Sequence, residues 1–235
     1  MAAVKALGRV QRSAPSRRKG RRPRKAWERR TGDRGLRLGV LGGTFDPAHY
    51  GHLRLAETAR EADRLSLDKV LFIPAGQPWR KSDRVVSHPS HRAAMLGLAI
   101  EGNPAFEIST LELEREGPSY TVDTLEILRK HYPDSELFLV IGQDALADLP
   151  NWREPDRITT LAWLAVASRS NSSPERLTTE SLPPGARERV LSLPMESLEI
   201  SGSRIRESVR RGVSIRYLVP EAVRLYIEGH GLYRE

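Results

Sequence analysis

Gly42-Gly43-Thr44-Phe45-Asp46-Pro47-Ala48-His49-Tyr50-Gly51-His52 follows directly on a strand-like run, Leu36 to Leu41 (LRLGVL), and leads into a helical pattern reaching about Ala62. A strand that ends in a glycine pair lets the backbone turn tightly and come close to a ligand. Asp46 and Pro47 suit an N-cap and a first helical position, which puts the helix start at about Pro47. A helix beginning there aims unpaired N–H groups and a positive dipole end at whatever lies above the sheet, which is the chemistry of a phosphate site. His49 and His52, three apart, share one face, and Gly51 between them leaves room for a base or sugar. A metal pair is the alternative reading of the histidines, although no further His, Cys or carboxylate stands at suitable spacing, so no metal ligation is expected.

Working outward, the same alternation recurs. Lys69 to Pro74 (KVLFIP), Glu136 to Ile141 (ELFLVI) and Ala162 to Ala167 read as buried strands, and Phe106 to Leu113 mixes apolar and polar residues in a strand-like way. Helical patterns occupy His91 to Ile100, Thr121 to Tyr132, Arg204 to Arg211 and Glu221 to Glu228. A polar Ser/Pro/Glu loop spans about 170–187. Strands alternating with helices predict an α/β fold, a doubly wound, Rossmann-like parallel sheet with its ligand site at the carboxyl ends of the strands.

The chain has 235 residues and a net charge of +8, and that charge is unevenly placed. Residues 1–34 hold 13 Lys/Arg against Glu28 and Asp33, a net +11, which leaves −3 for the rest. The basic segment has one aromatic, Trp27, and no sustained apolar periodicity, so residues 1–35 read as a disordered basic tail before a single domain at 36–235. Three meanings of the tail stay open: an upstream start, an arm for nucleic acid or another acidic partner, and a transit peptide. Extended nucleic-acid binding by the slightly acidic body is not expected. With no cysteine, disulfide frameworks, thiolate metal sites and cysteine nucleophiles are excluded. The longest apolar run, Leu161 to Ala167, is far short of the roughly 20 residues of a membrane span, so a soluble, cytoplasmic protein is expected.

The string GGTFDPAHYGH resembles the signature of the cytidylyltransferase-like nucleotidyltransferases, whose hallmark is the HxGH tetrad, here His49 to His52. Further blocks resemble the bacterial nicotinate-nucleotide adenylyltransferases: Pro74 to Lys81 (PAGQPWRK), Pro118 to Leu125 (PSYTVDTL), Gly142-Gln143-Asp144-Ala145-Leu146, Asn151-Trp152-Arg153, Ile200 to Arg206 (ISGSRIR) and the closing Gly229 to Arg234. Gly202 and Ser203 stand where that family usually has serine and threonine.

The resemblance implies transfer of AMP from ATP to nicotinate mononucleotide, giving deamido-NAD and pyrophosphate, with Mg²⁺ brought in mainly by the triphosphate. It implies catalytic roles for His49, His52, Lys81 and Arg206. Gly42, Gly43, Thr44, Phe45, Gly142, Asp144 and Ser203 join His49, His52 and Arg206 in binding ATP. Tyr120, Thr121, Trp152 and Arg153 would hold the nicotinate moiety, Trp152 by stacking on the pyridine ring. Such a reaction asks for positioning and charge dispersal more than for a base, because the acceptor phosphate is already anionic. The alternatives are a sister enzyme acting on nicotinamide mononucleotide or phosphopantetheine, and an RNA-binding role through the basic tail. Oligomeric state is not legible.

Overall fold

A computed structural model describes residues 35–78, 87–169, 182, 185–196 and 198–234. The basic tail, the Trp79-Arg80-Lys81 cluster and most of the polar loop after residue 169 lie outside these described residues.

The strands are β1 (Arg37–Gly43), β2 (Lys69–Pro74), β3 (Phe106–Ile108), β4 (Glu136–Gly142), β5 (Trp163–Arg169) and β6 (Val190–Met195). They form one sheet in the order β3-β2-β1-β4-β5-β6, with every neighbouring pair parallel. Alternation along the strands explains the two-faced core. Leu38, Val40, Leu71, Ile73, Leu137, Leu139, Ile141, Leu164 and Val166 point to one face, and Leu41, Val70, Phe72, Phe138, Val140 and Ala165 to the other. Because both faces are covered by helices, these strands read in sequence as nearly continuous apolar runs, the doubly wound arrangement expected.

The helices are α1 (Tyr50–Glu61), α2 (Pro89–Ile100), α3 (Leu111–Glu114), α4 (Thr121–His131), α5 (Gln143–Asp148), α6 (Pro155–Leu161), α7 (Gly202–Arg210) and α8 (Glu221–Gly229). One face of the sheet packs on α4 and α6 through Val122, Leu125, Leu128 and Ile158. The other packs on α1 and α2 through Ala56, Ala59 and Leu96. A third cluster, Met95, Ile205, Ile215, Val219, Val223 and Ile227, ties α2 to α7 and α8.

Several boundaries differ from the sequence reading. Helix α1 starts at Tyr50 with His49 as N-cap, three residues later than the Asp46-Pro47 pair suggests. The Asp46 carboxylate is taken by other partners: it accepts from the Tyr233 hydroxyl (2.6 Å) and from the Ser87 N–H (3.2 Å). The stretch from Phe106 is a strand for three residues only, after which Leu111–Glu114 turns helical. β6, α5 and α6 have no counterpart in the sequence reading.

Strand order runs outward to β3 from β1 and outward to β6 from β4. The switch point therefore lies between β1 and β4, where parallel sheets of this topology open a crevice for ligands.

Candidate active site

At the carboxyl end of β1 the chain leaves the sheet through Gly42 and Gly43. A side chain at Gly43 would meet the Phe45 ring at 3.1 Å, so the glycine lets that ring fold back under the turn. Phe45 has a positive φ of 51° and is buried, packed edge-on to His52 at 4.9 Å and against Phe72 at 5.9 Å. Its ring is thus part of the core, and its backbone is the portion that faces the turn.

The two histidines cap α1 on themselves. The His49 N–H donates to His52 Nδ1 at 3.3 Å, and the imidazoles stack with centroids 3.7 Å apart and planes 21° from parallel. Since His52 Nδ1 accepts, a neutral His52 carries its proton on Nε2 and presents it as a donor. A side chain at Gly51 would stand 3.0 Å from the His49 ring and 3.6 Å from the Ile200 carbonyl. Gly51 thus lets the His49 ring and the segment before α7 pack close to the start of α1.

The α7 segment closes on the turn. Arg206 Nη1 donates to the Asp46 carbonyl at 2.6 Å, and a side chain at Gly202 would lie 2.9 Å from that same oxygen. Gly202 thus permits a contact that any larger residue would push apart. Ser201, not Ser203, caps α7, accepting from the Arg204 N–H at 3.3 Å; Ser203 is exposed one turn from Arg206.

Beneath these elements lies a buried anchor that the sequence reading missed. Arg92, 1 % exposed, donates to the carbonyls of Thr44 (2.9 Å), Ser87 (2.9 Å) and Gly76 (3.3 Å). One guanidinium therefore fixes the turn after β1 and the turn after β2 together. Burial lowers its pKa, with the nearby Asp46 charge opposing that. The Tyr233 phenol, donating to Asp46, is held well above the usual phenol range by burial first and by the Asp46 charge second.

A cavity of about 170 Å³ opens at the switch point. Gly42, Gly43, Thr44, Thr121 and Trp152 are among the residues that line it. The structure thus brings the β1 turn and two of the residues expected to hold an acceptor into one space. The Trp152 indole is fixed by donating to Asp148 at 3.0 Å, and Asn151 donates to the same carboxylate at 3.0 Å. Arg153 lies with its guanidinium 4.8 Å over the Tyr120 ring and 3.8 Å from Asp123. Both flank the cavity without lining it. Gly142 ends β4 and Asp144 is exposed in the first turn of α5, at the same edge of the sheet but outside the lining. Lys81 lies outside the described residues.

Glu112 and Ser119 also line this cavity. The Ser119 hydroxyl oxygen accepts from the N–H groups of Gly76 (2.9 Å) and Gln77 (3.3 Å), joining the β2 turn to the start of α4. A side chain at Gly76 would fall 2.0 Å from the Glu112 carbonyl. No sequence signal marks Glu112 as a site residue, because its burial depends on this contact with a distant turn.

The family model described as cytidylyltransferase-like matches residues 40–208. The chain is 50 % identical over 198 residues to a protein of Thermomicrobium roseum named "Probable nicotinate-nucleotide adenylyltransferase", covering 84 % of this chain and 92 % of that one. A Roseiflexus protein of the same name is 47 % identical, over 84 % of this chain and 98 % of the other. Among solved structures, the Plasmodium falciparum nicotinic acid mononucleotide adenylyltransferase complexed with NaAD superposes with a TM-score of 0.68 at 18 % identity. That superposition covers 84 % of this chain and 97 % of that one, a likeness of fold.

Proposed function

The chain belongs to the nicotinate-nucleotide adenylyltransferase family of cytidylyltransferase-like proteins, and from that premise we propose that it transfers AMP from ATP to nicotinate mononucleotide, giving nicotinate adenine dinucleotide and pyrophosphate in NAD biosynthesis. The observation that carries this reading is the cavity at the switch point, lined by the Gly42–Thr44 turn together with Thr121 and Trp152.

In the reaction, a phosphate oxygen of the acceptor attacks the α-phosphorus of ATP. That P–O bond forms as the bond from the α-phosphorus to the α–β bridging oxygen breaks, and its electron pair leaves with pyrophosphate. The acceptor phosphate is ionised at neutral pH, so catalysis rests on alignment and on donors aimed at the charge that develops. The backbone of the turn after β1 would face that charge. His52 offers Nε2–H to it, stacked on His49, and Arg206 stands one helical segment away, anchored on Asp46. Trp152, held by its bond to Asp148, would supply a fixed aromatic face for a pyridine ring.

Among the described residues no group of three or more His, Asp or Glu side chains is placed to hold a metal ion. Mg²⁺ would enter as part of the substrate, Mg-ATP, carried by phosphate oxygens, which suits its preference for few protein ligands. No helix of the described residues is long and apolar enough to cross a membrane.

The test is product identification: purified protein with Mg-ATP and nicotinate mononucleotide, analysed by chromatography and mass spectrometry. Formation of the nicotinate dinucleotide with equimolar pyrophosphate supports the reading. Pyrophosphate without an adenylylated acceptor, or no product, overturns it.

A further inference from the structure

Parallel pairing of β1 with β2 runs out at Gly43 and Pro74, and the last backbone bond there is the Ala75 N–H to the Gly43 carbonyl at 2.9 Å. Beyond it the chain continues into two separate turns. Both line the switch-point cavity, the first through Gly42, Gly43 and Thr44 and the second through Ala75 and Pro78. Among the described residues no backbone bond joins the two turns past that point. The buried Arg92 bridges them instead. Its Nη1 donates to the Thr44 carbonyl at 2.9 Å and its Nη2 to the Gly76 carbonyl at 3.3 Å. Its Nε donates to the Ser87 carbonyl at 2.9 Å, just ahead of α2, which holds the plane of the fork.

The second turn is clipped in the same way to the start of α4. Gly76 gives its carbonyl to Arg92 and its N–H to the Ser119 hydroxyl oxygen at 2.9 Å. That oxygen also accepts from the Gln77 N–H at 3.3 Å, and the Ser119 N–H donates back to the Gln77 carbonyl at 3.0 Å. Two residues on, Thr121 opens α4 and lines the cavity. One path of hydrogen bonds therefore runs from Thr44 through Arg92 and Gly76 to Ser119. It joins the turn read as the nucleotide side to the helix start read as the acceptor side.

This path carries geometry. The three acceptors of the guanidinium are neutral carbonyls, and Arg92 is itself 1 % exposed and outside the cavity lining. A guanidinium suits the task because its donors sit on three atoms of one rigid plane. An in-line displacement depends on how the attacking oxygen faces the α-phosphorus, and a misplacement of about 1 Å costs about 10²-fold in rate. We propose that Arg92 is a positioning residue: it sets the register between the nucleotide side and the acceptor side of the cavity. This rests on the proposed adenylyl transfer, with ATP at the turn after β1 and the acceptor beside Thr121 and Trp152.

A residue that sets register affects the step needing both substrates and leaves the binding of each one alone nearly unchanged. The experiment compares the full-length wild type with Arg92→Lys, Ser119→Ala and the double variant, each checked by circular dichroism. Arg92→Lys keeps the charge but offers one nitrogen in place of three, so the spacing of the acceptors is no longer fixed. Ser119→Ala cuts the same path at its other end. Titration calorimetry with Mg-ATP alone and with nicotinate mononucleotide alone gives Kd. The rate of a single turnover at saturating substrates gives the chemical step.

The expected result for Arg92→Lys is a turnover rate lower by about tenfold or more, with both Kd values within about threefold of the wild type. Because the two residues act in series, the double variant is expected to be slower than the slower single variant by no more than about threefold. A turnover rate kept in Arg92→Lys, a Kd raised as much as the rate is lowered, or losses that multiply in the double variant each overturn the proposal. Should Arg92→Lys not fold, Ser119→Ala decides: a slower turnover with both Kd values kept supports the proposal, and a kept turnover or a loss confined to Kd overturns it. Failure of the wild type to adenylylate nicotinate mononucleotide instead overturns the function reading on which the proposal rests.

Discussion

Replacing Tyr233 by Phe deletes one hydroxyl and nothing else, yet that hydroxyl joins the segment after α8 to the turn after β1. It donates to Asp46 Oδ1 at 2.6 Å, and Asp46 is 5 % exposed. The variant leaves a buried carboxylate with the Ser87 N–H at 3.2 Å and one acceptor position empty. A hydrogen bond to a charged group contributes about 1.5–3 kcal/mol, and the partly exposed tyrosine discounts this to about 1–2 kcal/mol. For a domain of this size the loss corresponds to a Tm lower by about 2–8 °C.

The alkaline arm sharpens the test. The folded phenol is held above its usual value of 10, so below about pH 10 Tyr233 keeps its proton in both folded and unfolded chains. As pH rises through 10 the unfolded chain releases that proton while the folded chain retains it, and wild-type stability falls. The phenylalanine variant lacks this loss, so the gap between the two proteins narrows above about pH 10. Urea unfolding followed by circular dichroism at about pH 7.5 and about pH 10.5 measures both effects. A variant within about 0.5 kcal/mol of wild type at the lower pH, or a gap unchanged at the higher one, refutes the reasoning.

Three other outcomes follow from the site. His52→Ala removes the Nε2–H donor and is expected to lower kcat by about 10²-fold with unchanged circular dichroism; a variant with full kcat sinks that role. Trp152→Ala is expected to raise KM for nicotinate mononucleotide about tenfold and leave KM for ATP within about twofold, read from initial rates; equal effects on both would remove Trp152 from the acceptor side. Gly76→Ala sets a methyl 2.0 Å from the Glu112 carbonyl and is expected to cost about 1–3 kcal/mol in urea unfolding, whereas an unchanged midpoint would mean the β2 turn yields freely.

The sheet was readable because its strands are buried on both faces, so KVLFIP and ELFLVI run on apolar residues after one opening charge. The β1 turn was readable because glycines, a dipole end and two histidines make a local pattern. What escaped depends on partners far along the chain. Asp46-Pro47 has the local look of a helix start, but Tyr233, 187 residues away, claims the carboxylate and the helix begins at Tyr50. Arg92 reads as the second residue of a helix; only the fold shows it gathering three carbonyls from the turns after β1 and β2. Glu112 sits in what reads as strand alternation and becomes a cavity residue when the Gly76 turn packs on it. β6, with Pro194 and Ser192 in six residues, carries too little apolar pattern to announce itself, and pairs with β5 because the sheet edge is there to receive it.

The resemblance reached the acceptor pocket residue by residue and the geometry bears on it unevenly. Thr121 and Trp152 stand in the cavity with the β1 turn, whereas Tyr120 and Arg153 pair with each other at its flank. The assignment of the acceptor is therefore the claim on which the rest of the account depends. Its most direct test is pyrophosphate release by the purified chain with Mg-ATP, with nicotinate mononucleotide, nicotinamide mononucleotide and phosphopantetheine compared side by side as kcat/KM. The account predicts that nicotinate mononucleotide is preferred by about tenfold or more, the discrimination that a single well-placed polar contact supplies. Equal or greater turnover with either of the other acceptors would contradict it.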